Sequence, residues 1–276
     1  MLRVLTIIGT RPEAIKMAPV VQELGRQDHR FQIGVCATAQ HREMLDQVLD
    51  LFAIEPDVDL DLMEPGQTPS QVAARILLAL EPVLKDWRPD WVLVQGDTTT
   101  VMSAALLAYY HRIKVGHVEA GLRTDDKYQP FPEEINRKIA GVVADLHLAP
   151  TQAARQNLLN EGVEDWRIAV TGNPAIDALR IITQNPLPDQ VRELFERHKI
   201  GAGKKQLIMV TAHRRENFGS HPGHHRSAEH GAGQPVHLPG LRHIPVLAVL
   251  AGQVAARGAE GQHAGARVEV VERLLL

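Results

Sequence analysis

Short β-branched runs alternate with longer stretches of helical periodicity along most of this chain. Residues 3–8 (RVLTII) read as a strand that stops at Gly9. A helix follows from about Pro12, which suits a first turn because its missing N–H has no intrahelical partner to lose. The same pattern predicts a strand at Phe31–Ala37 and a helix at His41–Leu51, then a strand at Val58–Leu62 and a helix at Ser70–Leu84. Trp91–Val94 reads as a fully buried strand, followed by a helix over Thr99–His111 and a strand over Val115–Val118. Beyond a polar loop come a helix at Glu133–Val143 and a strand at Leu146–Ala149. Thr151 caps a further helix, Ile168–Thr171 is a strand, and Asn173–Ile182 a helix. Strands alternating with helices of this length predict a parallel, doubly wound α/β sheet.

The polar, Pro-rich Thr183–Pro188 reads as a linker, Val191–Lys199 as a helix, and Gln206–Thr211 as a strand opening a second domain. The alphabet then changes. From Gly219 onward there is no Lys, Asp, Asn, Thr, Cys, Met, Phe, Tyr or Trp, and the stretch holds seven of the fourteen His. The expected organisation is a first domain over 1–183, a linker and the start of a second domain over 184–218, and an aberrant, poorly ordered tail over 219–276.

A net charge of −3 gives no basic field, so nucleic acid is a poor partner. A single cysteine, Cys36, excludes an intrachain disulfide and reads as a small core residue. The first ten residues are too short and strand-like for a signal peptide, and no apolar run reaches membrane-spanning length. The expectation is a cytoplasmic protein without a membrane partner.

In open α/β sheets ligands bind beyond the carboxyl ends of the strands, so the residues directly after each strand carry the candidate chemistry. After the first come Gly9, Thr10, Arg11 and, one turn later, Lys16. A glycine turn at a helix N-terminus beside two cations suits an anion, although a tight turn with solvated side chains is the structural alternative. The segment is neither GxGxxG nor a Walker loop, so dinucleotide or ATP binding is unsupported. Asp97 follows the fourth strand and also reads as a helix cap. Glu119 ends a buried strand, where capping gives it no role. Glu133 and Arg137, four apart on one helix face, also read as an ordinary ion pair. His213 follows the strand that opens the second domain, placed for acid/base or phosphate work, and also reads as a plain loop histidine. Carboxylates beside cations suit proton transfer on an anionic, phosphate-bearing substrate.

The segments GTRPEAIKMAPV, TAQHREMLDQVL, QGDTTT, GHVEAGLRT, PFPEEINR, VTGNPAIDAL and VTAHRRENFG, in this order, make the chain resemble the non-hydrolysing UDP-N-acetylglucosamine 2-epimerases. The resemblance implies two Rossmann-like domains facing a cleft, as in the glycosyltransferase B architecture, with the second incomplete here. It implies interconversion of UDP-N-acetylglucosamine and UDP-N-acetylmannosamine by UDP elimination to 2-acetamidoglucal and re-addition, with no cofactor. By resemblance, Asp97, Glu119 and Glu133 are acid/base candidates, with Glu119 and Glu133 ahead of Asp97. Arg11, Lys16 and Arg137 line the site, and His213 reaches in from the second domain. A homodimer and a role in polysaccharide supply are implied in the same way.

The sequence departs from that pattern after Phe218. The family's YPVH strand and Gly-rich SGGxQEE segment, which holds the nucleotide, are not found. His221, His224, His225 and His230 lie in a Gly/Pro-rich run with no neighbouring Asp or Cys to complete a metal site. A frameshift is the leading account of the tail, ahead of a genuinely divergent segment or a degraded paralogue: codons exist for Ser220–Gly231 that, read one base later, spell the amphipathic Ala-Ile-Pro-Ala-Ile-Thr-Ala-Ala-Leu-Ser-Met. The chain as written is then expected to be inactive. A glycosyltransferase-like enzyme and a non-catalytic binding or dimerisation module are the alternative functions.

Overall fold

The computed structural model describes residues 1–38, 42–64, 66–198 and 200. They fall into two compact units, one holding Met1–Gln184 and the other beginning at Asn185. In chain order the first holds β1 (Leu2–Ile8), α1 (Arg11–Arg26), β2 (Phe31–Ala37), α2 (Arg42–Leu51), β3 (Val58–Asp59), α3 (Pro69–Trp87), β4 (Trp91–Gln95) and α4 (Thr99–Tyr110). There follow β5 (Lys114–Val118), α5 (Glu133–Val143), β6 (Leu146–Ala149), α6 (Gln152–Asn160), β7 (Ile168–Val170) and α7 (Pro174–Gln184). The described part of the second unit contains α8 (Asp189–His198).

The strands form a seven-stranded sheet in the order β3-β2-β1-β4-β5-β6-β7, with every pairing parallel. Both faces are buried, which is why the strands are mainly apolar rather than alternating. Along β1, Val4 and Ile8 enter the core beneath α1, α2 and α7, whereas Leu5 and Ile7 enter the core beneath α3, α4 and α5. Leu5, Ile7 and Ile8 are almost fully buried, each worth about 1.5–3 kcal/mol of apolar burial. Cys36 belongs to the second core, and burial, with Asp59 nearby, pushes its thiol up to about 12.

The helices start where the caps lie. Thr10 and Glu13 form a capping box on α1, and Thr68 and Gln71 form one on α3. Thr98 and Thr151 cap α4 and α6. Two sequence expectations shift. The strand expected over 58–62 is only Val58–Asp59, because beyond Asp59 the chain bends, with Asp61 at φ 44°. The expected linker loses its first two residues, since α7 continues through Thr183 to Gln184. The tail expected to be poorly ordered, like the strand expected at Gln206–Thr211, lies outside the described residues. Among the described residues no helix is long and apolar enough to cross a membrane.

The strand order reverses between β1 and β4: from β1 the chain first adds β2 and β3 on one side, then crosses to β4 on the other. The loops after β1 and β4 therefore meet at the crevice where α/β sheets bind ligands.

Candidate active site

The two loops are held together by Glu13. Its Oε2 accepts from the backbone N–H of Gly9 at 2.5 Å and of Thr10 at 3.1 Å, and its Oε1 accepts from the Thr98 hydroxyl at 2.6 Å. The contact is tight: a Cβ on Gly9 would lie 2.5 Å from Oγ1 of Thr100. Burial pushes the Glu13 carboxyl above its ordinary value, against the hydrogen bonds from Thr98, Gly9 and Thr10 that pull it down.

One strand further on, β5 delivers Glu119. The residue sits at φ 65°, a left-handed conformation uncommon for a side-chain-bearing residue, and its side chain is only 10% exposed. Lys16 Nζ lies 2.5 Å from Oε2, which also accepts from Gln95 Nε2, and Asn173 Nδ2 donates to Oε1 at 2.8 Å. Four elements thus converge on one carboxylate: α1, β4, β5 and the start of α7. Beneath it, buried His117 bonds through Nε2 to the carbonyl of Gly96 at 2.7 Å. Burial holds this imidazole below its ordinary value, so it is neutral near pH 7 and donates through Nε2. Gly96 turns at φ 86°, leading from Gln95 beside Glu119 into Asp97.

Asp97 pairs with Arg137 Nη2. The same guanidinium reaches Glu134 Oε2 through Nη1 at 3.2 Å and the Leu122 carbonyl at 3.4 Å. Glu134 is fully buried and also accepts from the Thr124 N–H at 3.2 Å. The segment 95–97 thus lies between two carboxylate–cation clusters, with Gln95 on Glu119 and Asp97 on Arg137.

The structure brings together Lys16, Glu119, Asp97 and Arg137 at the carboxyl ends of β4 and β5. Arg11 is exposed at the first turn of α1. Glu133 opens α5, partly exposed, and makes no ion pair with Arg137. The partner of Arg137 on that helix is Glu134, three residues away: α5 turns Glu134 into the core and Glu133 to its edge. His213 and the histidines from His221 onward lie outside the described residues. Among the described residues no cluster of His, Cys, Asp and Glu could hold a metal ion. Sequence reasoning missed Glu13, Gln95, Glu134 and Asn173. The first was legible as the third helix position after Thr10 in a capping box, and the last as a residue before proline at a helix start.

Chemically, the site offers carboxylates for proton transfer and, in direct contact with them, cations to balance an anion. A cavity of about 550 Å³ beside edge strand β7, lined by Arg155, Asp165 and Trp166 among others, contains none of these groups.

Comparison with known proteins bears on what chemistry this is. The family model for UDP-N-acetylglucosamine 2-epimerase matches residues 23–229. A UDP-N-acetylglucosamine 2-epimerase of Yersinia pestis is 56% identical over 220 residues, covering 79% of this chain and 58% of the relative. The enzyme of the same name from Escherichia coli K12 is 54% identical with the same coverage of each. The crystal structure of UDP-GlcNAc 2-epimerase from Neisseria meningitidis bound to UDP-GlcNAc superposes with a TM-score of 0.73 at 48% identity, covering 79% of this chain and 59% of that one. The chain therefore spans less than two thirds of the length of these relatives. Over the part it spans, sheet and sequence agree with them, and the chain belongs to the UDP-N-acetylglucosamine 2-epimerase family.

Proposed function

We propose that the strand-end residues form one wall of an active site for reversible epimerisation at C2 of UDP-N-acetylglucosamine, giving UDP-N-acetylmannosamine. The observation that carries this reading is the side-by-side placement of Lys16–Glu119 and Arg137–Asp97 at the ends of adjacent parallel strands. In the proposed reaction a carboxylate takes the C2 proton, the C1–O bond breaks, and its electron pair leaves with UDP. A C1–C2 double bond forms, giving 2-acetamidoglucal. Protonation of C2 from the opposite face and attack of a UDP oxygen at C1 complete the inversion. No net redox change occurs, so no cofactor is needed.

The acid/base residues are drawn from Glu119 and Glu133 ahead of Asp97. Arg11, Lys16 and Arg137 supply positive charge for the departing diphosphate, and His213 acts from the second domain. That second Rossmann-like domain would close a glycosyltransferase B-like cleft in the whole protein, which would act as a homodimer. The 276-residue chain by itself does not turn over in this reading, because its sequence after Phe218 lacks the segments that hold the nucleotide. Catalysis needs both walls to orient the substrate and exclude water.

The test joins residues 1–218 to the remaining part of the Yersinia pestis relative and compares this chimera with the 276-residue chain. With UDP-N-acetylglucosamine, the chimera should form UDP-N-acetylmannosamine, read by proton NMR, and the parent chain should not. A chimera that folds, binds UDP and forms no product would overturn the reading of the site. Full turnover by the parent would overturn the reading of the tail.

A further inference from the structure

Asn173 stands directly before Pro174, the first residue of α7. Its Oδ1 accepts from the Ala175 N–H at 3.0 Å, and its backbone carbonyl accepts from Ile176 at 3.0 Å. This is an N-cap with proline in the first turn, a pairing that satisfies one of the helix's unpartnered donors. Because the amide oxygen is committed to the helix, the amide nitrogen must face the other way. There Nδ2 donates to Glu119 Oε1 at 2.8 Å. The other oxygen of Glu119 is already held by Lys16 and Gln95. Donors on Oε2 alone leave the carboxylate free to rotate about its last bond, whereas a donor on each oxygen fixes its plane.

We propose that Asn173 is a positioning residue for Glu119: its side-chain amide fixes the plane of that carboxylate, and its cap anchors the orientation to the start of α7. The importance of that plane for proton transfer rests on the epimerase reading, but the geometry does not. Among the described residues, Lys16, Gln95 and Asn173 are the side-chain donors to Glu119, and the amide of Asn173 has its direction set by a second bond, to the Ala175 N–H.

The test exploits the two ends of the amide. Asn173→Asp keeps the acceptor for Ala175, and aspartate caps a helix as well as asparagine. It also replaces the donor to Glu119 with a second carboxylate. Asn173→Ala removes both. A residue acting only as a cap would rank parent and Asp alike in stability, with Ala lowest. The proposal predicts that Asn173→Asp lowers the thermal midpoint of the full 276-residue chain by about 3–6 °C at pH 7, because two carboxylates then share one site. Adding Glu119→Gln, whose amide can donate to the new carboxylate, should recover at least half of that loss. In ¹⁵N-labelled protein, Glu119→Ala should move the Asn173 side-chain amide protons to free-amide positions while the Ala175 backbone amide stays in place. An Asp variant as stable as the parent, or an Asn173 amide indifferent to Glu119→Ala, overturns the proposal. Neither readout needs turnover, so a chain that never epimerises its substrate counts against the epimerase reading and leaves this assignment to be judged on its own.

Discussion

The Thr98 hydroxyl donates to Oε1 of Glu13 at 2.6 Å, so one buried carboxyl joins the cap of α4 to the capping box of α1. This bond spans the point where the strand order reverses, and it sets the spacing between the turn at Gly9 and Thr10, which leads into Arg11, and the loop that carries Asp97. Glu13→Ala leaves the N–H groups of Gly9 and Thr10 and the Thr98 hydroxyl without their partner, and should cost about 2–4 kcal/mol. Glu13→Gln keeps an acceptor for the N–H groups and reverses the Thr98 contact, its amide nitrogen donating to the hydroxyl oxygen, and should cost less than half as much in urea denaturation.

The same pair makes a pH prediction. Burial raises the Glu13 carboxyl above its ordinary value of 4.5, so the folded chain holds this proton more tightly than the unfolded one. Its contribution is fully present below pH 4.5 and is lost as pH rises through the folded-state value. Glu13→Gln should remove that loss, giving a flatter stability profile above pH 4.5 than the parent.

His147 acts in the opposite sense. It is fully buried on β6, and burial, helped by the nearby His117, Arg167 and Arg123, lowers its imidazole to about 3. The unfolded chain binds this proton more readily, near its ordinary 6.5, so stability falls as pH drops from 6.5 towards 3. His147→Leu should abolish this part of the acid loss, measured as thermal midpoint against pH.

Gly9 has no room for a side chain. A Cβ there would meet Oγ1 of Thr100 at 2.5 Å and its Cβ at 2.9 Å. Gly9→Ala should therefore push the two loops apart, at about 1–3 kcal/mol. Adding Thr100→Ala removes Oγ1 and Cγ2 and should return part of the loss.

Arg137 bridges Asp97 and the fully buried Glu134. Arg137→Ala leaves the buried Glu134 with only the Thr124 N–H at 3.2 Å and Lys138 Nζ at 3.7 Å, and should cost about 1–3 kcal/mol. Glu134→Gln in the same background should restore much of it, since a neutral amide needs no cation. Thermal unfolding of the four proteins of this cycle measures both effects.

These contacts mark what the sequence could and could not reveal. Short, mainly apolar runs bounded by turn residues located β2 and β6 to the residue, because both faces of the sheet are buried, and the helical period of EEINRKIAGVV located α5. Glu119 was legible because a carboxylate ending such a run has no local role. Glu133 and Glu134 are neighbours, and only the packing of α5 against α4 decides which of them turns inward. The partners of Glu119 come from positions 16, 95 and 173, and no local periodicity links them. Asn173 reads locally as a cap, and its second bond exists only because α7 begins beside the end of β5.

The account's central claim is that these strand-end carboxylates carry proton transfer at C2. It is tested most directly by deuterium incorporation at C2 when UDP-N-acetylglucosamine is incubated in D₂O with the chimera described above, with and without Glu119→Gln or Glu133→Gln. The account predicts deuterium at C2 of the product with the parent site, and incorporation slowed by about 100-fold or more in at least one of the two variants. Incorporation at the parent rate in both variants, in chimeras that fold and bind UDP, would contradict it.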